Sequence, residues 1–363
     1  MAMLLMTPGP TRVPERVLLA GARPMIHHRD TEFSKVLVAT LAGLRPLFGA
    51  SGDVIPVHAS GRGAMEASIC NLLSPGDEVL ACANGRFGQM WAEIAESFGV
   101  IVHRLCTDWG ASADPLDVEN GFKAHPKSKA LLMVHSETST GVLNNVPAIV
   151  RALRPSGILV MVDCVSSLGG APVCFDAWDI DVAITASQKC LMSSAGLSFV
   201  ALSERAWAAS KTAGLPRAYF NFEAIRKTLA RARPETPGTT PVHLFFQVNE
   251  ALSMIYEEGL ENTFARHKKM GRMVQDWVGQ NGFSLANAES DCLSPTLTAI
   301  CAFSGLKPET IREQLKQRGI LTARGLGPYE NNGIRIGHLG DIQPRDVQRT
   351  LDALSEVIAE LEA

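Results

Sequence analysis

Short apolar runs alternate with amphipathic helical segments along the first two thirds of the chain. The runs lie at 53–58, 78–83, 100–105, 130–135, 157–163, 181–186 and 197–202. Between them, apolar residues recur three and four positions apart, as at Met65, Ile69 and Leu72, which is the spacing of one helical face. Apolar strands separated by helices are typical of a mainly parallel sheet that is covered on both faces. The pattern therefore predicts an α/β fold with a seven-stranded sheet in a large domain.

The pattern changes after residues 231–241, where three prolines and a glycine interrupt the chain. A connecting helix is predicted near 245–265, followed by strands at 294–300 and 333–337 and a final amphipathic helix over about 344–362. This mixture indicates a second, smaller α+β domain. The predicted division is an irregular N-terminal arm at 1–15, a large domain at 16–258 and a small C-terminal domain at 259–363.

Composition limits the classes of partner. Of the 363 residues, 46% are hydrophobic, and the formal net charge of −3 offers no basic surface for nucleic acid. The apolar opening at 1–6 is too short for a membrane span or a signal peptide, so no membrane partner is predicted. The eight cysteines form no CxxC pair and stand mostly in apolar runs, which favours buried thiols in a cytoplasmic protein.

Three features that could carry chemistry follow predicted strand ends. The small-residue turn at 60–67 (SGRGAMEA) opens a helix, where backbone N–H groups bind anions, although a turn without a ligand fits equally well. Asp163 ends an apolar strand, where a buried carboxylate is expected to have a cationic ligand as its partner unless it forms a helix N-cap or a structural salt bridge. Lys189 follows another strand, where apolar surroundings would lower its pKa as a Schiff-base amine requires, unless its side chain reaches solvent. The three features in this order are more specific than any one alone.

The chain resembles the class V, fold-type-I pyridoxal-phosphate enzymes, and specifically the alanine–glyoxylate and serine–pyruvate aminotransferases. The resemblance extends nearly from end to end and includes many short blocks in the same order. These blocks are TPGPT (7–11), SGRGAMEA (60–67), NGRFGQ (84–89), HSETSTG (135–141), VDCVSSLGG (162–170), SQK (187–189), GLGP (325–328) and RIGHLG (335–340).

The resemblance implies a role for each matching residue. Lys189 would hold pyridoxal 5′-phosphate as a Schiff base, Asp163 would keep the pyridine nitrogen protonated, and Arg335 would bind the substrate α-carboxylate. Phe87 and Val165 would cover the two faces of the ring. The other implied cofactor contacts are Thr138 near the phenolic oxygen and, at the phosphate, Ser60, Gly61, Arg62, Gln188 and Thr239, the last from the partner subunit of a homodimer.

The chain departs from the family pattern at three places, of which the first two affect cofactor contacts and the third affects substrate choice. Phe87 stands where relatives often have Trp, and Thr236 stands where a Tyr often reaches the phosphate. The segment 192–196 (MSSAG) lacks the two prolines that commonly follow the lysine, beside the family's active site. No metal is predicted, because His27 and His28 have no third ligand at a suitable spacing.

Several functions stay open from the sequence. The first is transfer of an amino group from a small amino acid, of the alanine or serine type, to glyoxylate or pyruvate. Other donors on the same scaffold are ureidoglycine, aminoethylphosphonate and pyridoxamine. Removal of sulfur from cysteine would need a mobile catalytic thiol, but Cys190 directly follows Lys189 and is expected to point away. The alternative from another class is a pyridoxal-phosphate-binding regulatory module without turnover.

Overall fold

The computed structural model describes residues 3–105, 108–287, 289–301, 303 and 305–363. The strands are β1 (Leu4–Leu5), β2 (Asp53–Val57), β3 (Glu78–Cys82), β4 (Ile101–Leu105), β5 (Ala130–Val134), β6 (Ser136–Glu137), β7 (Val142–Leu143), β8 (Leu159–Asp163), β9 (Val182–Ala186), β10 (Ser198–Leu202), β11 (Ser284–Leu285), β12 (Leu297–Cys301), β13 (Ile320–Leu321), β14 (Ala323–Arg324) and β15 (Gly333–Gly337). The helices are α1 (Glu15–Gly21), α2 (Thr31–Phe48), α3 (Gly61–Leu72), α4 (Arg86–Ser97), α5 (Pro115–Ala124), α6 (Val146–Leu153), α7 (Glu204–Ser210), α8 (Phe222–Leu229), α9 (Val242–Glu258), α10 (Leu260–Gln280), α11 (Pro308–Gln317) and α12 (Pro344–Glu362).

The seven longer strands of the first two thirds form one sheet in the order β2-β10-β9-β8-β5-β3-β4. Strand β10 is antiparallel to both of its neighbours, and the other four pairings of the sheet are parallel. Strands β5, β8, β9 and β10 are buried along their whole length, because helices cover both faces of the sheet. The predicted mainly parallel, seven-stranded sheet is confirmed.

Each face of this sheet has its own apolar core. One core joins the sheet to α2, α5, α6 and α9, with Leu37, Ile149 and Phe245 among its buried side chains. The other joins it to α3, α4, α7 and α8 and contains Met65 and Trp91. The two cores fix the sheet between helical layers, so the strand ends hold the loops that follow them in constant positions.

The C-terminal part has a four-stranded sheet in the order β11-β12-β15-β14, in which every pairing is antiparallel. Helices α10, α11 and α12 pack against it around Ile300, Ile334 and Leu354. The connecting helix predicted near 245–265 is in fact two helices. Gly259 separates them with φ of 87°, a left-handed conformation that ends α9 and that favours glycine.

The N-terminal arm is more regular than the sequence indicated. Strand β1 pairs in parallel with β13 of the C-terminal part, and Gly337 N donates to Met6 O at 2.8 Å. The arm then crosses to the large sheet, where Thr11 Oγ1 donates to Lys189 O at 2.9 Å. The arm therefore contacts both sheets. Among the described residues, no helix combines the length and the apolar character that crossing a membrane requires.

Candidate active site

A cavity of about 210 Å³ opens where β2, β8 and β9 end and the loops after them begin. Because these strands run in the same direction, their carboxyl ends meet at one edge of the sheet. The cavity is lined by Ser60, Gly61, Arg62, Met65, Phe87, Met90, Thr138, Asp163, Val165, Ser166, Gln188 and Lys189. The structure thus brings together all the residues predicted to contact a cofactor except Thr239.

Lys189 lies three residues beyond the end of β9, below the N-terminal arm. Its Nζ donates to Pro8 O at 2.5 Å, and a Cβ on Gly9 would lie only 2.6 Å from Lys189 Cε, so the close approach of the arm requires glycine. Burial and the positive charge of Arg335 together lower the pKa of Lys189 to about 8, against the opposing charge of Asp163. A larger fraction of this amine is neutral near pH 7 than in an exposed lysine.

Asp163 is the last residue of β8 and is almost completely buried, with 4% of its surface exposed. Its Oδ1 accepts a hydrogen bond from Val165 N at 2.7 Å. Burial is the main reason that the pKa of Asp163 is raised to about 7; the charge of Glu137 acts in the same direction, whereas the Val165 N–H and Lys189 oppose the shift. A cation placed against this carboxyl group would favour its charged form, so the position suits a protonated ligand nitrogen.

The anion side of the cavity begins at Ser60. Its backbone is extended and its side chain does not cap α3, which leaves the first N–H groups of that helix directed at the cavity. A Cβ on Gly61 would lie 2.7 Å from Val165 Cγ2, so only glycine fits there. Among the described residues, the buried Oε1 of Gln188 has no hydrogen-bond partner, and Arg62 is exposed at the rim. These groups form a polar, cationic end that is suited to a phosphate.

Arg335 reaches the site from β15 of the C-terminal part. Its Nη1 donates to Thr138 O at 3.1 Å, and its Nε donates to Arg324 O at 2.8 Å. Burial lowers its pKa to about 10, although the charge of Glu137 opposes this shift. Thr138 in turn shares a hydrogen bond of 2.6 Å with Ser166 through their hydroxyl groups. Arg335 therefore contacts the cavity wall through backbone carbonyls.

Glu137 is a buried residue to which the sequence assigned no role. Its Oε2 accepts from Phe87 N and Gly88 N, both at 3.1 Å, and its Oε1 accepts from Ser139 N at 3.0 Å and from Ser139 Oγ at 2.6 Å. The carboxylate therefore holds the first turn of α4, where it also meets the positive end of the helix dipole. Glu137 fixes Phe87 at the cavity wall. The only sequence signal was an acid within the block HSETSTG.

Three predicted features lie away from this cavity. Thr239 is exposed and lines a different cavity of about 250 Å³, together with His58 and Tyr219. Thr236 is buried and donates to Gly238 O at 3.2 Å. Residues 192–196 are not among the residues that line the active-site cavity, and Ser194 N donates to the Gln247 side chain at 3.1 Å.

Cys190 also faces away from the cavity. Its Sγ lies 3.8 Å from Ser166 O, and burial raises the pKa of its thiol to about 12. A thiol must ionise and reach the substrate in order to act as a nucleophile. This placement agrees with the expectation that Cys190 points away from the substrate.

Comparison with known proteins places these features in a family. The model of the family described as Aminotransferase class-V matches residues 4–328. A protein of Synechococcus sp. named "Soluble hydrogenase, small subunit" is 42% identical over 99% of this chain and 93% of its own length. The serine–glyoxylate aminotransferase of Methylorubrum extorquens is 33% identical over 93% of this chain and 86% of its own. The crystal structure of ureidoglycine–glyoxylate aminotransferase from Bacillus subtilis has a TM-score of 0.93 at 30% identity and covers 100% of this chain and 94% of that one.

Proposed function

Because this chain belongs to the class-V aminotransferases, which are pyridoxal-phosphate-dependent enzymes, we propose that it transfers an amino group from a small amino acid of the alanine or serine type to glyoxylate or pyruvate. The observation that carries this proposal is the cavity that brings buried Asp163 and Lys189 together at the ends of parallel strands. The names of two relatives, serine–glyoxylate and ureidoglycine–glyoxylate aminotransferase, support glyoxylate as the acceptor.

The cavity fits pyridoxal 5′-phosphate at three places. Lys189 supplies an amine whose pKa is lowered towards neutrality, and Asp163 supplies a buried carboxyl group that needs a cationic partner. Gln188, whose side-chain oxygen has no hydrogen-bond partner in the described part of the chain, and the uncapped start of α3 lie at the polar end. We assign the phosphate to this end, with Ser60, Gly61, Arg62 and Gln188 as its contacts. Phe87 and Val165 line the cavity at the positions that we assign to the two ring faces.

When bound, the cofactor supplies a carbonyl carbon for the amino group and a ring that accepts the electron pair of the substrate Cα. We assign to Lys189 Nζ the removal and return of the Cα proton, for which a pKa of about 8 is suited near neutral pH. Asp163 holds the proton on the ring nitrogen. Arg335 binds the α-carboxylate of donor and acceptor alike, since its planar guanidinium matches a carboxylate at two points. Thr138, which lines the same cavity, would lie near the phenolic oxygen of the bound cofactor.

A homodimer with shared sites is part of the proposal. Thr239 lies on the surface of this chain, outside the active-site cavity, so its predicted phosphate contact requires a second subunit. A two-fold axis would give each cavity the Thr239 of the partner chain. We place this dimer in the cytoplasm, because the seven cysteines of the described residues are free thiols, which a reducing compartment maintains.

The experiment that tests the function is a matrix of donors against acceptors. The donors are alanine, serine, ureidoglycine, aminoethylphosphonate and pyridoxamine, and the acceptors are glyoxylate and pyruvate. Single-turnover mixing with each donor reports the loss of the visible absorbance of the bound cofactor, and addition of each acceptor reports its return. We expect alanine or serine to give the highest kcat/KM, with glyoxylate as the preferred acceptor.

Two results would contradict the proposal. If ureidoglycine, the phosphonate or pyridoxamine exceeds alanine and serine at least tenfold in kcat/KM, the donor class is wrong while the aminotransferase family stands. If the cofactor binds but no donor changes its absorbance, the protein is a regulatory module without turnover. The Lys189→Ala variant serves as the inactive control in each assay.

A further inference from the structure

A second group of metal-binding side chains lies at the opposite end of the large sheet. Glu78 is the first residue of β3, His103 is in the middle of the edge strand β4, and His125 follows the end of α5. Val79, the residue after Glu78, pairs with Ala130 of β5, which pairs with Leu159 at the start of β8. Asp163 is at the other end of β8. At 3.3 Å per residue, Asp163 lies about 16 Å further along the strand direction. The group is therefore separate from the proposed active site.

The three side chains converge on one point. His103 Nε2 lies 2.9 Å from Glu78 Oε2, and one ligand atom from each of the three residues lies within 4.8 Å of the others. In a tetrahedral zinc site, bonds of about 2.0–2.1 Å separate neighbouring ligand atoms by about 3.3 Å. The Glu78–His103 pair is close to that spacing. The ring of His125 is stacked on that of His103 at a centroid distance of 3.6 Å. To direct a ring nitrogen at an ion bound by the other two residues, His125 would have to rotate about its side-chain torsions out of this stack.

The neighbouring cations leave Glu78 available. Lys129 Nζ lies 2.7 Å from Asp77, and Lys123 Nζ lies 2.6 Å from Glu119, so these two lysines already have other carboxylates as partners. Two neutral imidazoles and one carboxylate carry a single negative charge, which suits a divalent cation. His125 has no side-chain hydrogen-bond partner among the described residues, so a metal would satisfy a ring nitrogen that the protein leaves free.

We propose that Glu78, His103 and His125 bind one divalent transition-metal ion, with Zn²⁺ as the expected occupant. Two imidazoles and one carboxylate form a nitrogen–oxygen set that Zn²⁺, Cu²⁺ and Ni²⁺ accept. Glu78 and His103 are about one quarter exposed, so a water molecule can complete the coordination. The ion would connect the end of α5 to β3 and to the edge strand β4, and so it would stabilise that edge of the sheet.

The test is a calorimetric titration of the holoenzyme with Zn²⁺ at pH 7.5, without amino substrates or chelating buffer. We expect one ion per chain at micromolar affinity. His103→Ala and His125→Ala should each weaken binding at least tenfold, as should Glu78→Gln. The matched control is Glu119→Gln, in helix α5, which precedes His125. Zinc binding should be unchanged in this variant. The cofactor absorbance and the half-reaction with donor should match the wild type in all four variants, which shows that they are folded.

Electron paramagnetic resonance with Cu²⁺ gives an independent measurement, since the cofactor is not paramagnetic. We expect hyperfine coupling to two imidazole nitrogens in the wild type and to one in His103→Ala. The melting temperature of the wild type should rise with Zn²⁺, whereas that of His103→Ala should not. The proposal is overturned if no ion binds at micromolar Zn²⁺, or if His103→Ala keeps the wild-type affinity and copper spectrum.

Discussion

Asp163 and Lys189, which we call the floor of the active-site cavity, and the segment around Thr239 were predicted to bind the same cofactor. The structure gives these two regions different surroundings. Asp163 and Lys189 stand at or just beyond the ends of buried strands, and burial shifts the pKa of each towards neutrality. Thr239 is exposed and lines a separate cavity. Its neighbour in that cavity, Tyr219, has 70% of its surface exposed. One region is complete within a single chain, and the other lies on its outer surface.

This difference indicates that the proposed enzyme handles protons with residues of one chain and completes its phosphate site with a residue of the partner chain. The groups that handle protons need fixed positions and low solvent access, which the sheet of one chain provides. A phosphate contact needs a hydrogen-bond donor at the cavity mouth, and a neighbouring subunit can supply it. Substitutions on the floor should therefore reduce the chemistry, whereas substitutions at Thr239 should reduce cofactor retention and depend on the partner chain.

The largest effect is expected from Lys189→Ala. The variant should lose both the covalent attachment of the cofactor and measurable turnover, because Lys189 is the only lysine among the described residues that line the cavity. Borohydride reduction followed by peptide mapping identifies the modified residue in the wild type. Lys129→Ala, at an exposed lysine that pairs with Asp77, is the control and should remain fully active. A cofactor label on a peptide without Lys189 would refute the assignment.

The next largest effect is expected from Asp163→Asn. Removing one partner from a buried ion pair costs about 3–5 kcal/mol, roughly 150- to 5,000-fold in the rate of the half-reaction with donor. The amide cannot hold the proton on the ring nitrogen, although Lys189 still attaches the cofactor. Stopped-flow absorbance measures that rate, with exposed Asp117→Asn as the control. A half-reaction at the wild-type rate would show that Asp163 has another role.

Arg335→Ala tests the contribution of the C-terminal part. Loss of a charge-assisted pair with the substrate carboxylate costs about 2–4 kcal/mol, roughly 30- to 1,000-fold in kcat/KM. The factor should be similar for alanine, serine and glyoxylate, because all three present the same carboxylate. Arg335→Lys keeps the charge without the planar fork and should lie in between. An effect on only one of these substrates would place carboxylate recognition elsewhere.

Thr239→Ala tests the surface region. Loss of a hydrogen bond to a charged phosphate costs about 1.5–3 kcal/mol, roughly 10- to 150-fold in the Kd for the cofactor. Mixing this variant with Lys189→Ala should restore activity at limiting cofactor, since each mixed dimer would contain one cavity with both native residues. Exposed Thr212→Ala is the control. A mixture no more active than Thr239→Ala alone, or a fully active monomer in sedimentation, would contradict shared sites.

The sequence predicted what depends on local pattern. The strands of the large sheet are short apolar runs that stand out from their flanking helices, and Asp163 and Lys189 could be placed because each follows such a run. Local pattern cannot show contacts between distant segments. Pro8 O accepts from Lys189 across 181 positions, and Glu137 holds the start of α4 from about 50 positions away. The same limit applies to Glu78, His103 and His125, which only the fold brings together.

The smallest expected effect is on the rate at which the apoenzyme captures its cofactor, which should change by at most about tenfold per pH unit. The neutral amine of Lys189 must attack the cofactor carbonyl, and with a pKa of about 8 roughly one tenth of it is neutral at pH 7, against fewer than about one in a thousand for an ordinary lysine. The capture rate should therefore rise about ninefold from pH 6 to 7 and only about twofold from pH 8 to 9. Stopped-flow absorbance of the forming complex measures this profile.

Two variants test whether the pH profile of cofactor capture depends on the floor of the cavity or on the surface around Thr239. The charge of Asp163 raises the pKa of Lys189, so Asp163→Asn should move the midpoint of the profile to lower pH. Thr239→Ala should slow capture equally at every pH and leave the midpoint unchanged, because Thr239 lies outside the cavity that contains Lys189. If the wild-type rate still rises about tenfold between pH 8 and 9, Lys189 titrates as an exposed lysine. Burial would then not lower the pKa of this amine, and the floor of the cavity would not differ electrostatically from the surface around Thr239.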